Sequence, residues 1–464
     1  MNQPADPAPR KISQDANPPK TWRVGTLVYT GAGLAVLFGW LLWGDFALSM
    51  KDRAIAPVAQ IMLRNFSAPD WLVGLLVGSV PAGIGLILGP FISVKSDRHR
   101  GRWGRRIPFL LIPTPIVALA MFGIAVTPSL GTWLHGYLGT QSPGEMGCRM
   151  ITFGFFWTWF EIASIIIGSL FGAFINDVVP HTIIGRFFGL FRAVSLIAGI
   201  IFNFFLMAKA GTHYLEIFVA LGVLYGVGFA LMCFNVKEGE YPPPEVVAPV
   251  TRANILAPVL VYLKECYTNP FYLSLFLATT LGMLALGPVN TFSVFHARSL
   301  GMSDDLYGKS LALSYAFSLV FSYPLGILAD RFHPLRLGMI SMVIYLLVTL
   351  YGFVFATTVS TFFLAFVLHT VVSGSYLTGT ASIGQRLLPM AKFGQFGSAA
   401  GIIAAICFMI LPPALGVFIG SINHNYRYVF LLSSLLAAAS LATYIVVFLK
   451  YKKLGGDAAY VAPD

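Results

Sequence analysis

The chain has 464 residues, 57% of them hydrophobic and only 11% charged, with a mean hydropathy of +0.77. Soluble domains carry about 25% charged residues, so a soluble globular protein is excluded. The net charge of +11 would point to a nucleic-acid partner in a soluble chain. Here no nucleic acid is expected, and the basic residues are read as loops held on one face of a lipid bilayer.

Residues 1–22 are polar and Pro-rich, without the apolar core of a signal peptide, and are read as a disordered cytoplasmic tail. Twelve apolar runs follow. Each approaches or exceeds the roughly 20 residues a helix needs to cross about 30 Å of hydrocarbon. Six lie near 27–63, 71–94, 107–127, 151–176, 183–209 and 216–235, within an N-terminal half spanning 23–235. A charged linker, 236–268, contains Pro242-Pro243-Pro244 and an amphipathic stretch over 255–267. Six more runs, near 269–294, 307–328, 337–356, 358–383, 394–420 and 427–449, fill a C-terminal half spanning 269–450, and a tail follows over 451–464. The strictly alternating ten-residue segments of a β-barrel are not what these runs look like. The fold class is an all-α membrane protein of twelve transmembrane helices in two six-helix halves.

Basic residues set the orientation. With both termini on one side, 22 of the 30 Lys and Arg residues fall on that side, which the positive-inside rule assigns to the cytoplasm. The expected location is the inner membrane, multi-pass, with both termini cytoplasmic. Two Asp-Arg clusters then share the cytoplasmic face. One runs from Ser96 through Asp97-Arg98 to Arg105-Arg106 between spans 2 and 3; the other is Asp330-Arg331 between spans 8 and 9. A second repeated element joins Pro180 to Gly185 and Pro389 to Gly394, five residues apart in each copy. The Asp97–Pro180 separation is 83 residues and the Asp330–Pro389 separation 59. An outside insertion over 129–150 accounts for the difference. Internal duplication of this kind is a hallmark of secondary transporters.

On these residues the chain resembles the major facilitator superfamily, whose signature is an Asp-Arg cluster followed by Gly-Arg-Arg between helices 2 and 3. The longer form Arg102-Trp103-Gly104-Arg105-Arg106-Ile107-Pro108-Phe109 is similar to the glycoside–pentoside–hexuronide cation symporters and the related sucrose transporters. The resemblance implies two pseudo-symmetric halves. It also implies a conformational gate built from Asp97, Arg98, Arg105, Arg106, Asp177, Asp330 and Arg331, with Asp97 capping helix 11 in the outward-open state. Span 2 lacks the carboxylates that hold sodium in melibiose-type members, so proton coupling or uniport is expected instead.

Asp45 and Glu161 are the two acidic residues well inside spans, and intramembrane carboxyls mark relays or pathways by default. Both are candidate cation-coupling residues. At 100° per residue, Asp45, Ser49, Asp52, Arg53 and Gln60 share an arc, which fits a long first helix lining a cavity. The alternative is a short helix followed by an exterior loop. Trp157 shares a face with Glu161 and is a candidate for stacking on a sugar ring, or for plain packing. In the second half, Asn290, His369, Ser373 and Tyr376 offer hydrogen bonds to a hydroxylated ligand, or alternatively to neighbouring helices. Ser49, Asp52 and Arg53 complete the candidate substrate set.

Four scattered cysteines show no metal-ligand spacing, so no metal and no cofactor is expected. No Walker loop, His-x-x-x-His pair or Gly-x-Ser-x-Gly elbow argues for an enzyme. The leading reading is a proton-coupled symporter, working as a monomer, that imports a sugar or glycoside by alternating access. Efflux or uniport of another metabolite, and a non-transporting membrane assembly factor, are the rivals.

Overall fold

The computed structural model describes residues 21–180, 183–241, 256–389 and 393–463. Most of the N-terminal tail, the Pro242–Pro244 run and the side chain of Asp330 lie outside the described residues. A backbone crossing hydrocarbon must satisfy its own hydrogen bonds, and among the described residues twelve long helices do so. In chain order they are α1 (Gly31–Asn65), α2 (Asp70–Arg98), α3 (Ile107–Ala125), α4 (Glu145–Val178), α5 (Ile184–Ile201, extended by tighter and wider turns to Lys209) and α6 (Tyr214–Asn235). The second set is α7 (Pro270–Ser299), α8 (Asp304–Phe332), α9 (Pro334–Phe355), α10 (Val359–Thr380), α11 (Phe393–Ser421) and α12 (Tyr428–Lys453). Among the described residues eleven are long and apolar enough to cross a membrane by composition alone. Helix α8 carries Asp304, Asp305 and Lys309 at one end and a hydroxyl ladder of Ser310, Ser314 and Ser318.

Packing repeats with the sequence duplication. In the first half α1 packs on α5 and α6, α3 on α4 and α6, and α2 on α4. Adding six to every number gives the second half: α7 on α11 and α12, α9 on α10 and α12, and α8 on α10. The two halves meet through α2–α11 and α5–α8, pairs that exchange under the same operation. The two-half pseudo-symmetric architecture is therefore present in the packing.

Local chemistry sets the helix ends. Asn269 caps α7 by accepting from the Phe271 N–H at 2.9 Å, with Pro270 at the first position. Ser303 caps α8 through the Leu306 N–H, and Thr358 and Thr361 form a reciprocal cap on α10. Pro81 has no N–H to return to the preceding turn, and α2 passes through a π-helical turn at Leu75–Ser79 just before it. Two elements differ from the sequence expectation. Residues 22–29, partly assigned to span 1, form an antiparallel hairpin of Trp22–Val24 with Leu27–Tyr29, turned by Gly25 at φ +53°. The insertion over 129–150 contains a helix, Thr127–Leu138, whose exposed Trp133 and Tyr137 rings stack at 5.7 Å. Its aromatic face is written at a spacing of four inside a stretch rich in Gly and Ser, which masks the helical pattern.

Among the described residues the closest contacts between the halves lie toward one face. On the face where α1 ends and α2 begins, a Cβ on Gly74 would lie 2.5 Å from the Pro412 carbonyl oxygen, and one on Gly416 would lie 2.5 Å from the Asp70 backbone. There α5 and α8 are equally close, with Gly308 against the Asn203 carbonyl. Toward the face carrying the Asp-Arg loops, α2 and α11 diverge around a cavity of ≈ 620 Å³ lined by residues such as Ala82, Leu86, Gly401 and Phe408.

Candidate functional site

An unbroken α1 places Asp45 at its fifteenth residue of 35, deep in the bundle and not at the end of a short helix. The arc of polar residues divides once neighbours are present. Asp45 is 1% exposed; its Oδ1 accepts from Ser49 Oγ at 3.3 Å, and its Oδ2 has no partner. Asp52 projects into open space and pairs with Lys51 Nζ at 2.7 Å. Arg53 turns toward α5 and α8. Its guanidinium donates to Ser195 Oγ and Tyr315 Oη, both at 3.4 Å, and lies 4.9 Å from the Tyr315 ring centre.

Lys51 carried no role in the sequence reading, because it sits about 120° away from Asp45 around the helix. Packing gives it one. It is 2% exposed, donates to Ser164 Oγ on α4 at 3.2 Å, and lies 5.2 and 5.4 Å from the Phe160 and Tyr225 ring centres. Lys51 is also within electrostatic range of Glu161. A cavity of ≈ 400 Å³ is lined by Lys51, Asp52, Glu161, Ser164, Gly168 and neighbours. A Cβ at Gly168 would meet nothing within 4 Å, so this glycine leaves room in the cavity and serves no close helix contact. The site thus gathers two carboxylates, an ammonium and a hydroxyl from α1 and α4, beside the buried Asp45.

Trp157 does not reach this cavity. It is 1% exposed, its indole N–H donates to the Leu76 carbonyl at 2.7 Å, and it packs against Phe153 and Phe160. The π-helical turn of α2 presents that carbonyl, so Trp157 satisfies the backbone here and does not meet the expectation of a stacking platform in this conformation. The α10 stripe is similarly engaged within its own half. His369 is fully buried, with Nε2 3.1 Å from Asn290 Oδ1 and Nδ1 2.8 Å from Tyr345 Oη. Ser373 donates to the His369 carbonyl, and Tyr376 meets Tyr444 at 3.0 Å. Asn290 is the member of this set left exposed, with His369 behind it as a tether.

Near the Asp-Arg loop, Arg105 grips Asp177 through two bonds of 2.6 and 3.1 Å. Arg106 joins Asp177 at 2.5 Å to Asp97 at 2.8 Å. Asp97 therefore faces Arg106 in this conformation. Glu238, which the sequence reading did not single out, accepts from the backbone N–H groups of Arg105, Arg106 and Ile107 at 2.9, 2.8 and 2.6 Å. A carboxylate from beyond α6 thus caps the start of α3, where the helix dipole favours negative charge. Tyr241 lies 4.1 Å from the Arg105 guanidinium; burial pushes its phenol above the usual range, Asp177 and Glu238 add to the shift, and Arg105 opposes it. Arg98 is exposed, and Arg331 rests over the Phe332 ring at 5.6 Å.

The opposite face holds a second unanticipated cluster. Asp70, 2% exposed at the start of α2, accepts from His424 Nδ1 at 2.6 Å, Tyr426 Oη at 3.2 and 3.3 Å, and Arg64 at 3.4 Å. His424 and Tyr426 lie between α11 and α12, so this carboxylate ties the two halves together.

The second half of the chain, residues 275–460, matches the sequence model of the Major Facilitator Superfamily. Among solved structures, a bacterial homolog of the human lysosomal transporter Spinster in an inward-facing conformation is 15% identical. It superposes with a TM-score of 0.60 over 90% of this chain and 97% of its own. A POT family transporter in complex with a thioalcohol-conjugated peptide is also 15% identical, with a TM-score of 0.62 over 91% and 96%. A D-xylose–proton symporter is 14% identical, with a TM-score of 0.57 over 89% and 96%. The chain has the fold of these transporters, open on the face that carries the Asp-Arg loops.

Proposed function

We propose that this protein is a secondary active transporter of the major facilitator type, in the glycoside–pentoside–hexuronide and sucrose-transporter branch. It imports a small hydroxylated solute, a sugar or glycoside, together with a proton. The observation that carries the reading is the set of ionisable groups at mid-depth: Asp45 with one unpartnered carboxyl oxygen, and Glu161 beside Lys51 in a cavity. Burying such groups without complete pairing is costly, so they are retained for what they carry, and a carboxyl group carries a proton. The face that carries most of the Lys and Arg residues is then cytoplasmic and the conformation inward-open, in the inner membrane. One chain supplies both halves of the site, so the working unit is a monomer. Asn290 and Asp52 are the exposed polar groups that face the solute from the two halves, and the likeness to a D-xylose–proton symporter supports a sugar as cargo.

The test is Glu161→Gln in proteoliposomes. Accumulation driven by a pH gradient should vanish, while exchange of labelled for unlabelled solute at equal concentrations persists. Undiminished gradient-driven accumulation by the variant would remove Glu161 from the coupling path.

A further inference from the structure

Three helices bring six charged side chains to the middle of the first half: Asp45, Lys51, Asp52 and Arg53 from α1, Glu161 from α4, and Arg192 from α5. Their pairing is uneven. Lys51 takes Asp52 at 2.7 Å and Asp45 takes a serine. Among the described residues, neither arginine ends on a carboxylate. Arg53 is held by two neutral hydroxyls and an aromatic face. Among the described residues the Nε of Arg192 is buried without a partner.

The arginines are neighbours. Arg192, Ser195 and Gly199 follow one another at spacings of three and four along α5 and so share a face. Ser195 bonds Arg53, and a Cβ at Gly199 would stand 2.7 Å from the Tyr315 ring and 3.6 Å from Arg53 Cδ. Arg192 is therefore one turn from the Arg53 contact, toward the open face, and the two guanidinium groups are close enough to repel. Two guanidinium groups drawn together with no carboxylate in hydrogen-bond contact are unfavourable unless something else completes the site. Guanidinium groups are suited to planar oxyanions, which they bind through paired N–H donors.

Resting on the transport reading above, we propose that the solute is itself an acid: a polyhydroxylated molecule bearing one oxyanion, held by Arg53 and Arg192 where α1, α5 and α8 meet. The charge count supports this. Three carboxylates and three cations balance when all are ionised. A coupling proton on one carboxyl leaves the site at +1, and a bound monoanion returns it to zero. Proton and anion would then cross together without net charge. Because Tyr315 belongs to the other half and already contacts Arg53, an anion at Arg53 also acts on the junction between the halves.

The experiment compares acids with their neutral counterparts on the purified full chain. D-glucuronate and D-gluconate probe a carboxylate, D-glucose 6-phosphate a phosphate, and D-glucose and methyl glucoside no charge, all at matched ionic strength with melting temperature as the readout. At least one acid should stabilise the protein, with apparent affinity about tenfold or more above its neutral counterpart, the range for a charge-assisted hydrogen bond. Arg192→Gln should abolish that preference and Arg192→Lys restore part of it. A merely structural arginine would instead change the basal melting temperature and leave the preference alone. Equal stabilisation by neutral sugars, an unchanged preference in Arg192→Gln and Arg53→Gln, or no response to any acid would overturn the proposal. In proteoliposomes, acid uptake driven by a pH gradient should be insensitive to an imposed potassium diffusion potential, and strong potential dependence would count against it. Proton-coupled uptake of a neutral sugar would sink the acid proposal and leave transport standing. Arginine-dependent acid binding without any uptake would do the reverse.

Discussion

Replacing Asp70 with Asn should unfasten the face on which the halves meet. The carboxylate is buried and receives His424, Tyr426 and Arg64, the first two from the opposite half. An Asn keeps one acceptor oxygen but turns an NH2 toward a set of donors, and it removes the charge that makes the 2.6 Å contact strong. Bonds to a charged group contribute about 1.5–3 kcal/mol each. Three of the four contacts are long and His424 is half-exposed, so about 2 kcal/mol is a reasonable net loss for this cluster. That corresponds to a roughly thirtyfold shift in the balance between closed and open forms. Spin labels at Ser67 and Ser421, both exposed on this face, would report the balance as a distance distribution. The variant should gain a population at longer distance, and Arg64→Gln, which removes the longest contact, should gain less. An unchanged distribution in a folded Asp70→Asn protein would refute the latch.

Gly416→Val places branched carbons against the Asp70 backbone; it should widen the same distance or, if the contact resists, lower the melting temperature. Asp97→Asn removes one arm of the Asp97–Arg106–Asp177 chain, so labels on the loop face should shift their distances while insertion topology is kept. His369→Phe removes the shared partner of Asn290 and Tyr345; Tyr345 keeps the Ala285 carbonyl and Asn290 is exposed, so the cost should be about 1 kcal/mol of stability, read as a lower melting temperature. Asp457, beyond α12, bonds Arg336 and Tyr451. Desolvation opposes but does not outweigh these partners, and its carboxyl lies below the ordinary aspartate value. The tie should therefore be intact at neutral pH and fail only as pH falls through that lowered value, with proteolysis of the C-terminal tail rising there.

The parts of this fold that depend on composition and spacing were legible in the chain. Twelve apolar runs, the 22-of-30 basic bias and the repeated Pro-to-Gly intervals needed no tertiary information, and the packing of α1–α6 recurs in α7–α12. What depends on a neighbour was not legible. Periodicity grouped Asp45, Ser49, Asp52 and Arg53 as one stripe, but Lys51 draws Asp52 aside and Tyr315 draws Arg53 across to the other half. Arg192 counted only as a basic residue of the loop face until α5 placed it beside Arg53. Trp157 stood open between a stacking platform and plain packing, because the π-helical turn whose carbonyl it satisfies belongs to a different helix. Asp70 sits at a helix start, where an acidic residue is ordinary; only the partners arriving from 424 and 426 make it a latch.

The central claim is that protons drive a solute across this protein. Purified protein in vesicles with an alkaline interior should accumulate a radiolabelled sugar or sugar acid above its external concentration, and a protonophore should abolish the excess. Solute that only equilibrates, with or without the protonophore, would contradict proton coupling. Exclusion of every member of the panel by folded protein would contradict transport itself.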